Sequence, residues 1–234
     1  MPILRDESEV EDGRLDRLTQ FDERSRAYGI RHLVETKKPR GYTWRCDAWL
    51  DQGTEGACVG FSMAHELAAR PAVVLGMSNQ FAREQVYWEA QRTDQWSGGA
   101  YPGARPRYEG TSVLAGVKVL QSLGFIREYR WAFGLQDLIL AVGHGGPAVL
   151  GVNWYSGMYD PDHDGMLRPT GDLVGGHAIL CHGVSVSGRF FKVHNSWGRS
   201  WGHNGEALVS WNDMERLLHE GGEACIPSVR VRNP

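Results

Sequence analysis

The chain has 234 residues, with 25 Lys+Arg against 28 Asp+Glu for a formal net charge of −3, and 41% of it is hydrophobic. Those values fit a folded chain with a sizeable core, and they exclude a mainly disordered segment or a dedicated nucleic-acid binder with a basic stripe. Thirty glycines, about twice the usual share, imply many positions of close backbone approach or positive φ.

Residues 1–40 read as a charged N-terminal extension. The start turns acidic at Asp6, Glu7, Glu9, Glu11 and Asp12, with no apolar targeting core, and nowhere does an apolar stretch reach the roughly 18 residues of a membrane span. Neither a signal peptide nor a membrane partner is expected, so the expected location is the cytoplasm, or outside it by an unconventional route. Residues 1–24 carry eight Asp+Glu against four Arg, which makes a solvated tail the first expectation and a short arm over the cleft between the two lobes the second. Residues 21–34 read as an extended arm on the surface. Lys37, Lys38 and Arg40 read as a solvated linker, not a nucleic-acid contact.

A turn-rich approach at 51–57 leads into a helix that begins at Cys58 and stops before Pro71, with Val59, Met63 and Leu67 four apart on one apolar face. A second helix is expected at 79–92, a Gly/Pro/Ser-rich loop at 93–108, and a third helix at 113–123 capped by the hydroxyls of Thr111 and Ser112. From Pro147 the pattern changes to short β-rich runs at 147–154, 177–184, 189–194 and 206–211. Helices first and strands second point to an α+β domain over 41–234. Its helical lobe, about 41–145, would pack against an antiparallel β lobe, about 146–234.

The four cysteines, Cys46, Cys58, Cys181 and Cys225, form no C-x-x-C pair and match no zinc spacing, so no metal is expected. In a reducing compartment they stay thiols. Cys58 taken alone is more often a small core hydrophobe than a nucleophile. Yet it stands at a helix start after a Gly-rich turn, where free N–H groups and the helix dipole favour a thiolate. His177 follows Gly175-Gly176 at an expected strand end and is placed to act as a base. Asn195, ending a later strand, can orient its ring. Cys181 reads as a core thiol, while any pairing of Cys46 with Cys225 is left open. Trp154, Trp201 and Trp211 read as core or cleft-wall aromatics.

Three blocks in order, Gln52-Gly53-Thr54-Glu55-Gly56-Ala57-Cys58-Val59-Gly60-Phe61-Ser62, Gly176-His177-Ala178, and Asn195-Ser196-Trp197-Gly198 running on to Gly205, resemble the signature blocks of papain-like (C1-type) cysteine peptidases. The resemblance implies a two-lobed papain-like fold with its site in the cleft and no cofactor. It implies a nucleophilic Cys58, a general base and acid in His177, an orienting Asn195, and Gln52 lending its amide to an oxyanion hole. Trp197 would roof the Asn–His contact, and Gly110 and Gly176 would border an extended peptide or protein substrate. Acyl transfer or amide hydrolysis, or a non-catalytic binding module, are the alternatives that it leaves. Glu55 replaces a customary disulfide cysteine, and Val59 a customary tryptophan. The residues that would select a substrate side chain carry no motif. Gly176 alone is readable there and offers no charge, so no preference for a basic or acidic side chain is indicated.

Overall fold

The computed structural model describes residues 12–19, 22–93 and 110–230. Asp6, Glu7, Glu9, Glu11, Glu109 and nearly all of the expected loop at 93–108 lie outside these. In chain order come β1 (Arg17–Leu18), a 3₁₀ turn (Glu23–Tyr28), α1 (Arg31–Val34), β2 (Tyr42–Thr43) and α2 (Cys58–Ala68). A π-helical stretch (Phe81–Tyr87) then runs into α3 (Trp88–Thr93), followed by β3 (Thr111–Ser112), α4 (Val113–Ser122), β4 (Ile126–Trp131) and α5 (Leu135–His144). The rest is β5 (Ala148–Tyr155), β6 (Leu173–Ser185), β7 (Phe190–His194), β8 (Glu206–Ser210), α6 (Trp211–His219) and β9 (Glu223–Arg230).

A seven-stranded antiparallel sheet runs β4-β9-β5-β6-β7-β8, with β2 also paired to β6. Because successive strand residues face opposite sides, the sheet divides the core in two. Leu150, Ile179 and Ile226 meet Leu138 and Val142 of α5 and Leu217 of α6. Their neighbours Val149, Leu180 and Cys225 meet Met63 and Leu67 of α2 and Val117 and Leu120 of α4. The α+β class and the helical and antiparallel β layers stand as the sequence indicates. Among the described residues no helix is long and apolar enough to cross a membrane.

Several details differ from expectation. All eleven residues of α2 are buried, so it is a central helix, not a one-faced one. The second helix includes a π-helical stretch, and Gly60 lets α2 press against it at Ala82 and Tyr87, where any Cβ would fall within 2.6 Å of both. β4, from the stretch expected to form the helical lobe, joins the sheet through β9. β6 begins at Leu173, so His177 lies inside a strand opposite Val152 instead of at its end. Trp211 opens α6, whose first turn is capped by Ser210 accepting from the Asp213 N–H at 3.1 Å. Within the described part of 21–34 the chain is helical at Glu23–Tyr28 and Arg31–Val34 rather than extended, and it buries Ile30 and Val34 in the core on the α5 side. All four cysteines are buried and free, which settles Cys46 and Cys225 as thiols, and Cys181 sits in the core.

Candidate active site

Two walls converge. On the helical side, Ala57 caps α2 without a side-chain bond, so the first-turn N–H groups around Cys58 are not consumed by a capping side chain. The preceding loop is clamped by an Arg83–Glu55 ion pair, by Trp88 Nε1 donating to Glu55 at 3.3 Å, and by Arg83 Nη2 donating to the Gln52 carbonyl at 3.2 Å. Glu55 thus ties the loop to the next helix where a disulfide would otherwise do so. Val59 is small enough for α4 to approach at Gly116, where a Cβ would come within 2.7 Å of it.

On the sheet side, β6 carries His177 and the loop after β7 carries Asn195. Asn195 Oδ1 accepts from the Ser196 N–H at 2.8 Å, which identifies that atom as the oxygen. His177 Nε2, also 2.8 Å from Oδ1, must therefore be the protonated nitrogen, leaving Nδ1 to take a proton. Trp197 lies 5.0 Å from the His177 ring and Trp154 4.6 Å, edge-on, so two indoles shield this contact from water. Trp154 is one of the three aromatics that sequence left undecided between core and cleft wall. The walls meet where the Cys58 thiol bonds to the backbone of Ala178, the residue after His177.

Gln52 is oriented by a residue that the sequence passed over. The Ser196 hydroxyl donates to Gln52 Oε1 at 2.6 Å, while the Gln52 N–H donates to the Ser196 carbonyl. The amide nitrogen is thereby turned toward the cleft, where it donates to the Glu55 carbonyl at 2.8 Å and the Arg14 carbonyl at 3.2 Å.

Arg14 belongs to the N-terminal segment, and its presence here corrects the expectation of a solvated tail. Residues 14–18 run through the cleft. Leu15 is 0% exposed, and Asp16 and Arg17 are buried. Asp16 bridges to Gly176, and β1 pairs in parallel with β3 as Arg17 to Thr111 and Leu18 to Ser112. A Cβ on Gly110 would strike the Asp16 carbonyl at 2.4 Å, and one on Gly176 the Arg17 carbonyl at 2.4 Å, so only glycine admits the segment at these borders. Arg14 ends the run with its guanidinium 4.3 Å over Trp197 and bonded to Asp12.

Beneath this cover both titratable groups are neutral. Burial pushes the Cys58 thiol up to about 11, against smaller opposing effects from the Ala178 backbone and the Arg17 charge. Burial likewise lowers His177 to about 4, outweighing its bond to Asn195, and the Arg14 charge adds to the lowering.

No family model matches the chain. Solved structures do match. Xylellain, a cysteine protease from Xylella fastidiosa, superposes with TM-score 0.68 at 17% identity, over 98% of this chain and 100% of that one. The papain-like fold is shared. Digestive procathepsin L 3 of Tenebrio molitor larval midgut gives TM-score 0.54 at 16% identity, over 94% of this chain and 75% of its own. The Carica candamarcensis cysteine protease CMS1MS2, in complex with E-64, gives 0.56 at 17%, over 83% and 100%. In the papain-like fold of this chain, Cys58 and Gln52 belong to the helical wall, and His177, Asn195 and Trp197 to the sheet wall.

Proposed function

We propose that the chain is a cysteine-type peptidase, seen in a resting form whose own N-terminal segment fills the groove. Cys58 attacks the carbonyl of an extended peptide, His177 takes the thiol proton and returns it to the leaving amine, and water then hydrolyses the thioester. Asn195 holds the imidazole, and Gln52 with the Cys58 N–H faces the developing oxyanion.

The observation that carries this reading is the segment itself. It is an extended polypeptide laid beside Cys58, with a peptide carbonyl on the Gln52 amide and its backbone paired along the Gly110 and Gly176 borders. A groove that seats this chain's own backbone fits a peptide substrate. Hydrolysis requires the segment to leave, because Cys58 and His177 are both 0% exposed beneath it.

The test is labelling of the full-length protein by a thiol-directed epoxide at pH 6–7. Slow labelling is expected in the native chain, and faster labelling confined to Cys58 once the segment is loosened by Leu15→Asp. His177→Ala in the loosened chain should remove the acceleration. If Cys58 in the loosened chain reacts no faster than Cys46 or Cys225, the nucleophile assignment fails.

A further inference from the structure

Two turns beyond Cys58 on the same face of α2, about 10 Å along the axis, stands a histidine that no motif marks. His65 is 0% exposed. Its Nε2 lies 3.1 Å from the Leu50 amide nitrogen, and because an amide N–H can only donate, Nε2 holds a lone pair and the neutral ring carries its proton on Nδ1. Nδ1 makes no hydrogen bond among the described residues, so the Leu50 contact is the one that the ring makes there. Burial, and then the neighbouring His194 and His182 rings, hold His65 well below the ordinary 6.5, which keeps the lone pair available.

The Leu50 end of this bond is where the two walls join. The Leu50 carbonyl accepts the Gly198 N–H at 3.3 Å, Asp51 bridges to Trp197, and the Gln52 N–H donates to the Ser196 carbonyl at 2.9 Å. Residues 50–52 therefore carry the Gln52 amide and also set the register of the block that holds Asn195 and Trp197. The covalent route from this strip to Cys58 runs through the turn at 53–57, and the His65 bond closes that route into a ring. On its other side His65 meets the His194 ring edge-on, 4.4 Å between centroids, and His194 is the residue before Asn195.

We propose that His65 is a positioning residue of the active centre, which through the Leu50 N–H sets the Gln52 amide and the Asn195 block against Cys58 on its own helix. The proposal rests on the peptidase reading above. A residue at 65 with no acceptor would strand a buried backbone N–H, and Leu50 would shift toward another acceptor and take Gln52 and Gly198 with it. An oxyanion donor displaced by part of an ångström loses its bond to the developing charge, so the loss falls on the transition state and not on substrate affinity.

The experiment uses the full-length chain loosened by Leu15→Asp and compares two polar replacements. In His65→Gln the side-chain oxygen reaches about as far as Nε2 and can accept the Leu50 N–H, whereas in His65→Asn it stops where Nδ1 stands. His65→Asn is expected to lower kcat by at least about tenfold with KM within about threefold, and His65→Gln to keep kcat within about threefold of the loosened parent. Equal kcat in the two variants, or a loss carried by KM, overturns the proposal. Should His65→Asn fail to fold, His65→Gln alone decides, with kcat kept supporting the acceptor role and a tenfold loss overturning it. Failure of the peptidase reading looks different, because the loosened parent itself then neither cleaves peptide nor labels at Cys58. The tie is in that case read from the NMR signals of the Gln52 side-chain amide. Displacement in His65→Asn with return in His65→Gln supports it, and any other pattern overturns it.

Discussion

The walls of the groove and the segment that fills it are equally buried, but they are held by different means. The walls come from a central helix and a seven-stranded sheet, with Gln52, Ser196, Asn195 and His177 cross-bonded at 2.6–2.9 Å. Among the described contacts, the segment is held by one two-residue parallel pairing, one isolated bridge, the Gln52 amide on the Arg14 carbonyl, the apolar anchor Leu15 and the side chains of Arg14 and Arg17. Equal burial therefore conceals unequal stability. The walls open only with the fold, whereas the segment has fewer contacts to break and, on the proposed function, is the part that gives way to substrate.

The most severe way to separate the two regions is to remove the nucleophile. Cys58→Ala should lower peptide turnover by at least about 10⁴-fold while leaving the segment docked and the melting temperature near that of the native chain. Residual turnover within tenfold of native would place the chemistry elsewhere. Gln52→Ala acts on the same wall and should cost about 10²–10³ in kcat/KM, with Cys58 labelling in the loosened chain little changed. Equal loss of both would mean that Gln52 supports the loop and not the oxyanion.

Changes in the segment should act in the opposite direction. Leu15→Asp removes an anchor whose burial contributes about 1.5–3 kcal/mol, so docking should weaken by about 10- to 150-fold and Cys58 labelling should accelerate accordingly. An unchanged labelling rate would show that the backbone pairings alone hold the segment.

Acid should do the same more gradually. In the docked chain burial lowers His177 from its ordinary 6.5 to about 4, so the docked form disfavours the imidazolium. Docking is then fully favoured above about pH 6.5 and weakens as pH falls toward 4, because the open form binds the proton more readily. Arg14, whose charge lowers His177, and Asp12, whose charge raises it, also face that ring. The check is the tryptophan emission of Trp197, which Arg14 covers. It should move toward that of Leu15→Asp between pH 7 and 4, while far-UV circular dichroism stays constant. Emission that follows the dichroism would indicate unfolding instead.

The walls were legible in sequence, and the segment only as the second of two expectations, drawn from charge alone, for a physical reason. On the proposed function, Cys58, His177, Asn195 and Gln52 answer to chemistry that tolerates few alternatives, and they stand in compact blocks with Gly and Trp around them. The Leu15–Leu18 contacts run largely through backbone groups against Gly110, Gly175 and Gly176, and backbone pairing leaves little mark on residue type. Charge raised the idea of an arm without placing it, and Leu15, which anchors it, carries no motif. Ser196 stood inside a quoted block yet carried no assigned role, because its contact with Gln52 spans 144 positions. The α+β class was readable from the order of helices and strands. The membership of β4 and β9 in the sheet was not, since it depends on a pairing between runs about 100 residues apart.

The smallest expected effect tests what holds the helical wall. Arg83 and Glu55 are both partly buried and join the loop before Cys58 to the following helix. Glu55→Gln leaves the size unchanged and removes the charge, for a loss of about 1 kcal/mol, or about 2–4 °C in melting temperature for a chain of this length. Labelling of Cys58 in the loosened chain should then fall no more than about threefold, because Ser196 still orients Gln52 from the opposite wall. A tenfold fall with little change in melting temperature would make the ion pair a positioning device for the nucleophile's loop. The helical wall would then owe its geometry to a single surface-proximal charge, and its stability would stand closer to that of the segment than to that of the sheet.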